Sequence, residues 1–150
     1  MHFVGVKSSV PLWIACLIGL AGCQSKHELE LYPVTGKVTL DGKPCAGALV
    51  TLFAADEVSI SRKLDKAPTA YCKADGSFVV GTYELEDGSP EGTYDVSIFW
   101  FTPNAHEIMS KTGKVPNLLP SSYSDPKTSG LEIKVASGKN EVPEFKLSKK

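Results

Sequence analysis

Apolar and polar residues alternate with a period of two along most of the chain after Tyr32. In "YPVTGKVTL", Val34, Val38 and Leu40 fall on one face and Thr35, Lys37 and Thr39 on the other, the pattern of a half-buried strand. Asp41-Gly42 then supplies a tight turn, since glycine accepts a positive φ. "ALVTLFA" sends Val50 and Leu52 inward and leads into a mostly polar loop, "ADEVSISRKLDKAP", that ends at Pro68. The spacing of "TAYCKADGSFVVGTY" predicts a hairpin, two short strands flanking Ala74-Asp75-Gly76-Ser77 with Phe78 and Val80 facing in. Asp87-Gly88 marks another turn. The clearest strand is "GTYDVSIFWF", with Tyr94, Val96, Ile98 and Trp100 on one face and Asp95, Ser97, Phe99 and Phe101 on the other. Leu131, Ile133 and Val135 alternate again, and after a turn at Gly138-Lys139-Asn140, Phe145 and Leu147 close the chain.

About seven short strands, with turns between them and almost no helical period, predict an all-β fold: one seven-stranded antiparallel β-sandwich. Thr102 to Gly130 is too polar and proline-punctuated for the core. It reads as a long surface loop carrying one short helix over "AHEIMSK", capped by Asn104.

The first 22 residues differ from the rest. Met1 to Val10 carries one cation, Lys7, and no acid, and Val10 to Leu20, "VPLWIACLIGL", is apolar throughout. As a helix that run would reach only about 16 Å against a hydrocarbon core of ~30 Å, too short to span but suited to the apolar region of a secretory signal. A buried N-terminal helix is the alternative, and the strand-and-turn body offers it no helical partner.

The run ends in Leu20-Ala21-Gly22-Cys23. This stretch resembles the lipobox of bacterial lipoproteins at all four positions. The resemblance implies that the Cys23 thiol receives a diacylglyceryl group and that cleavage falls between Gly22 and Cys23. The new amine of Cys23 would then be acylated as well. Each buried methylene contributes ~0.8 kcal/mol and one chain holds only marginally, so two or three chains on one residue make an anchor. Gln24 in place of Asp implies, by similarity to enterobacterial sorting, the outer membrane rather than inner-membrane retention. The expected organisation is a signal peptide over 1–22, a polar tether over 23–31 that includes His27, and a sandwich over 32–148. The expected location is a membrane-anchored, exported lipoprotein on the periplasmic or surface face.

Net charge narrows the partners. The formal charge is −1 with scattered basic residues, so no basic stripe could neutralise several phosphates and nucleic acid is excluded. A hydrophobic share of 42% is enough to build a core.

Four stretches point to a family. "VTGKVTLDGKPCAGALVTL", "KADGSFVV", "DGSPEGTYDVSI" and "LPSSYSDPKTSGLEIKVASGKNEVPEFKL" together resemble the carboxypeptidase-regulatory-like, or transthyretin-like, domain of small bacterial lipoproteins. The resemblance covers Tyr32 to Leu147. It implies the sandwich and an accessory rather than catalytic role, because this module is reused widely and function lives in sites. Gly36, Gly42, Gly47 and Gly76 would serve turns and close approach, Pro44 would stiffen a turn, and Tyr94 and Phe78 would fill the core.

Chemistry-bearing residues are sparse. A zinc peptidase needs three protein ligands and a base. After Cys23 the chain has only His27 and His106, and neither opens an H-x-x-E or H-E-x-x-H motif. The transthyretin-related hydrolases use several histidines, an arginine and a Tyr-Arg-Gly-Ser terminus, whereas this chain ends "FKLSKK" and has one arginine, Arg62. Ser121, Ser122 and Ser124 cluster around Tyr123 with no histidine near in sequence to act as base. "DGSPEG" and "DEVS" contain acids but no calcium loop. No metal and no cofactor is expected.

Cys45 and Cys72 are either a disulfide, plausible in an oxidising compartment, or two buried apolar thiols. Phe99 and Phe101 are either covered by the long loop or form an apolar patch fit for an envelope protein or a glycan. A glycan site would show coplanar exposed aromatics, with Tyr83, Phe99 and Phe101 as the places to look. The leading expectation is therefore a non-catalytic, lipid-anchored envelope module that binds or scaffolds another component. A carbohydrate-binding module and a small hydrolase of the transthyretin-related type are the alternatives.

Overall fold

In the computed structural model, which describes residues 29–55, residues 64–149 and His2, the alternating segment Val34–Leu40 forms strand β1. β2 (Lys43–Pro44) folds back on it across the Asp41-Gly42 turn. β3 (Leu49–Ala54) and β4 (Thr69–Tyr71) follow, then β5 (Ser77–Val79) and the long β6 (Gly92–Phe99). Helix α1 (Ala105–Thr112), a 3₁₀ turn (Ser121–Ser124) and the single-turn α2 (Pro126–Ser129) precede β7 (Glu132–Val135), β8 (Asn140–Glu141) and β9 (Phe145–Leu147).

The described residues hold two sheets. In one, β1 pairs antiparallel with β2 and β5 and parallel with β8 and β9. The other runs β4-β3-β6-β7, antiparallel throughout. The inward faces meet in one apolar cluster: Val34, Val38, Phe78, Val80 and Phe145 from the first side, and Val50, Leu52, Tyr94, Val96, Ile98 and Ile133 from the second. Burying one such side chain contributes roughly 1.5–3 kcal/mol, and a one-residue slip would turn a whole strand's set outward. That penalty fixes the register. The buried hydroxyl of Tyr94 is satisfied by the carbonyl of Pro90 at 2.8 Å, and burial pushes its pKa up.

Several expectations need correction. Among the described residues there are nine short strands rather than seven, and the last two lie parallel to β1, so the sandwich is not wholly antiparallel. The 69–83 hairpin splits. β4 joins one sheet and β5 the other, linked by a bridge from Thr69 to Gly81 and a tight turn in which Lys73 N donates to Ser77 O. Thr39, read as outward, is buried because its hydroxyl donates to Glu144 Oε1 at 2.7 Å. Asn104 stands before α1 without a side-chain cap, and its carbonyl accepts from Ile108 N. The 102–130 segment also reaches the core: Leu119 and Ser129 are buried, and the Ser129 hydroxyl donates to Val96 O at 2.6 Å.

Among the described residues no helix is long and apolar enough to cross a membrane. The segment read as a signal peptide, apart from His2, with Gly22, Cys23 and most of the tether including His27, lies outside the described residues.

Candidate functional site

The outer face of the four-stranded sheet is where β6 matters. Its alternation sends Tyr94, Val96 and Ile98 into the core and leaves Phe99 half-buried on the far side. Register places Tyr71 of β4 opposite Leu49 of β3, and Leu49 opposite Phe99. Tyr71 is 63% exposed, because Ala70 and Cys72 on either side of it take the inward positions. Phe101 lies just past the strand with its ring centroid 5.3 Å from that of Phe99 and tilted 32° to it. The long segment leaves Phe101 36% exposed, so it covers the ring only in part.

The same segment places Leu118 beside these rings. Phe101 bridges to Asn117, and Leu118 N donates to Trp100 O at 2.8 Å. Asn117 Oδ1 accepts from the amides of Trp100 and Leu119, which holds Leu118 beside the end of β6. Leu118, Val115 and Met109 are exposed, and α1 buries no residue at all. Trp100 turns away from this surface and donates its indole N–H to Ala46 O at 2.8 Å.

Tyr83 does not join Phe99 and Phe101. It lines a groove of about 570 Å³ with Lys66, Thr69, Tyr71, Val79 and Glu84. Tyr71 thus borders both surfaces. The loop 82–87 that carries Tyr83 is held by one carboxylate: Asp87 Oδ1 accepts from Thr82 N at 2.6 Å, and Oδ2 from Tyr83 N at 3.0 Å and Glu84 N at 2.8 Å. The Tyr83 hydroxyl accepts from Leu29 N at 3.2 Å. The chain therefore enters the domain beside this loop. Tyr32 pairs with Ser89 just before β6 starts, and the patch lies at the strand's other end, about 23 Å away for eight extended residues.

Cys45 and Cys72 are brought together at the inner face. Ala48 N donates to Cys45 O, Gly47 N to Cys72 O, and Cys72 N to Ala48 O. Both are free thiols and both are buried. Burial pushes Cys45 up to about 11 and, with the added charge of Cys45 and Asp75, Cys72 up to about 12. Neutral buried thiols of this kind are poor nucleophiles and poor metal ligands.

The remaining polar candidates are dispersed. His106 and Glu107 stand on the exposed α1, where Glu107 pairs with Lys111. Ser124 accepts from Asn117 Nδ2 at 2.8 Å, and the Tyr123 hydroxyl accepts from Ser148 N, so both brace the 102–130 segment. Among the described residues no three of His, Cys, Asp and Glu come together as a metal site requires. "DEVS" and Arg62 lie outside the described residues.

Tyr71, Leu85, Met109, Val115 and Leu118 were not singled out in the sequence. For Tyr71 the signal existed, since its neighbours Ala70 and Cys72 are the smaller, core-suited residues of "TAYC".

No family model matches the chain, and none of the curated proteins does. Among solved structures the chain is similar to the crystal structure of a DUF3823 family protein from Bacteroides ovatus ATCC 8483, with a TM-score of 0.38 and 17% identity. That likeness covers 77% of this chain and 44% of the other, so the chain spans less than half of the protein it matches.

Proposed function

We propose that this chain is a lipid-anchored, non-catalytic module of the bacterial cell envelope. It is held at Cys23 and engages another envelope protein through the apolar surface around Phe99 and Phe101. The observation that carries the reading is the Phe99–Phe101 pair, Phe101 exposed and Phe99 half-buried beside it, set at the far end of β6 from the point where the tether enters. Aromatic residues in such patches are the usual anchors of protein interfaces. An outer-membrane lipoprotein facing the periplasm or the surface would present this end away from its own bilayer.

The sandwich fits the carboxypeptidase-regulatory-like, transthyretin-like kind in one respect: the stretches that carry the resemblance fall on β1 to β3, the β4–β5 turn, β6, and β7 to β9. A carbohydrate-binding role finds less support. The two rings are tilted by 32° rather than coplanar, and Tyr83 belongs to a different surface. A hydrolase role finds less still, because His106 stands on a helix that buries no residue and the Ser124 hydroxyl is engaged by Asn117.

A photocrosslinking residue at Phe101, introduced in cells carrying the full chain, tests the proposal. A discrete protein adduct that is absent when the same residue replaces Lys43 supports it. Crosslinking no stronger at position 101 than at 43 contradicts it. Retention on isolated cell-wall glycan that is lost in Phe99→Ala would favour the carbohydrate reading instead. A hydrolytic activity lost in His106→Ala would overturn the non-catalytic one.

A further inference from the structure

We infer that the loop 82–87 is a membrane-contacting tip that orients the domain on the bilayer through Leu85; this rests on the reading of Cys23 as the lipid anchor. Leu85 is 93% exposed, the most solvent-facing large apolar side chain of the described residues. A single exposed leucine means little by itself. This one is held out by a built loop. Asp87 ties down three successive amides, and the Thr82 hydroxyl donates to Gly88 O at 2.6 Å. Glu86 adopts a φ of 62°, a left-handed conformation costly for a residue with a side chain. Gly88 has a φ of 105°, and a β-carbon there would meet Tyr32 O at 2.4 Å. The fold accepts strain to hold Leu85 out at the rim of the groove it shares with Tyr71 and Tyr83.

The tether says what it touches. Leu29 N is bonded to the Tyr83 hydroxyl, two residues from Leu85. Leu29 lies six positions after Cys23, and a chain of six steps reaches at most about 20 Å. Lipid at Cys23 therefore keeps the loop within that distance of the headgroups, where a contact too weak to bind alone is populated because its effective concentration is high. The acyl chains supply the affinity and Leu85 supplies the orientation. Glu84 and Glu86 flank the tip. Glu86 is paired with Lys73 at 3.0 Å, which lowers the cost of approach, and zwitterionic lipid suits the loop better than anionic lipid. The turn at Lys43 lies beyond Leu40, a strand length along β1 from the entry, and faces water in this arrangement.

The test uses the full chain, processed in cells, purified and reconstituted in phosphatidylcholine vesicles. An environment-sensitive fluorophore is attached at Leu85→Cys or, separately, at Lys43→Cys; buried Cys45 and Cys72 do not compete for label. Intact mass establishes the state of Cys23 in the same samples. The inference predicts a blue shift and a severalfold loss of iodide quenching at position 85 on reconstitution, with neither at 43. Lipidated protein whose position 85 is quenched as strongly as position 43 overturns the inference and leaves the anchor standing. Protein with unmodified Cys23 overturns both.

Discussion

A β-carbon on Gly36 would lie 2.4 Å from Cζ of Phe78, because the bare backbone of β1 receives the Phe78 ring from its register partner on β5. The ring is fixed from its other side by Phe145, with centroids 6.3 Å apart and planes 11° from parallel. Phe78 is itself only 1% exposed. Gly36→Ala should lower stability by about 1–3 kcal/mol through overpacking. In urea unfolding the midpoint should fall with the slope unchanged. An unaltered midpoint would mean that the ring shifts freely.

Removing the Asp87 carboxylate strips three amide donors of their acceptor. Asp87→Ala should cost about 1–3 kcal/mol, and Asp87→Asn, which keeps one acceptor oxygen, should cost less. Amide hydrogen exchange at Thr82, Tyr83 and Glu84 should accelerate in the alanine variant, while exchange in β6 stays at the global rate. Unchanged protection of those three amides would contradict the carboxylate's role.

The two buried thiols set an alkaline limit. Cys45 at about 11 and Cys72 at about 12 hold their protons more tightly folded than at the ordinary value of 9.0. An unfolded chain loses those protons first as pH rises, so this stability is fully present below pH 9 and disappears as pH climbs through the folded values. Replacing both with alanine should flatten the alkaline fall in urea midpoint. Alkylation in native buffer at neutral pH should modify neither residue, and unfolding should expose both. A Cys45–Cys72 bond found by mass analysis would contradict the free-thiol account.

Thr102 carries the opposite sign. Its Oγ1 is buried with no hydrogen-bond partner among the described residues. Thr102→Val keeps the shape and removes the unsatisfied hydroxyl, and should raise stability by about 1 kcal/mol. A thermal midpoint that falls would show that the hydroxyl is bonded in solution.

The strands were legible because a half-buried sheet writes its face into alternate residues. Val34 to Leu40, Gly92 to Phe99 and Glu132 to Val135 each announced themselves that way. Pairing was not legible. "TAYCKADGSFVVGTY" alternates like a hairpin, yet Ala70 and Phe78 face the same core from different sheets, a choice made by β3 and β1. The parallel docking of Phe145 and Leu147 on β1 rests on contacts more than a hundred residues apart in sequence. Of the candidate site, Phe99 and Phe101 could be named from the chain, but their exposure depends on where Asn117 and Leu118 settle. Leu85 gave no periodic signal, since a loop held by one carboxylate has none.

The central claim is that this sandwich works from a lipid anchor at Cys23, and mass spectrometry of the mature N-terminus in envelope extracts tests it most directly. The account predicts a chain beginning at Cys23, its thiol carrying diacylglyceryl and its amine acylated. A mature chain that begins elsewhere, or a Cys23 without lipid, would contradict it.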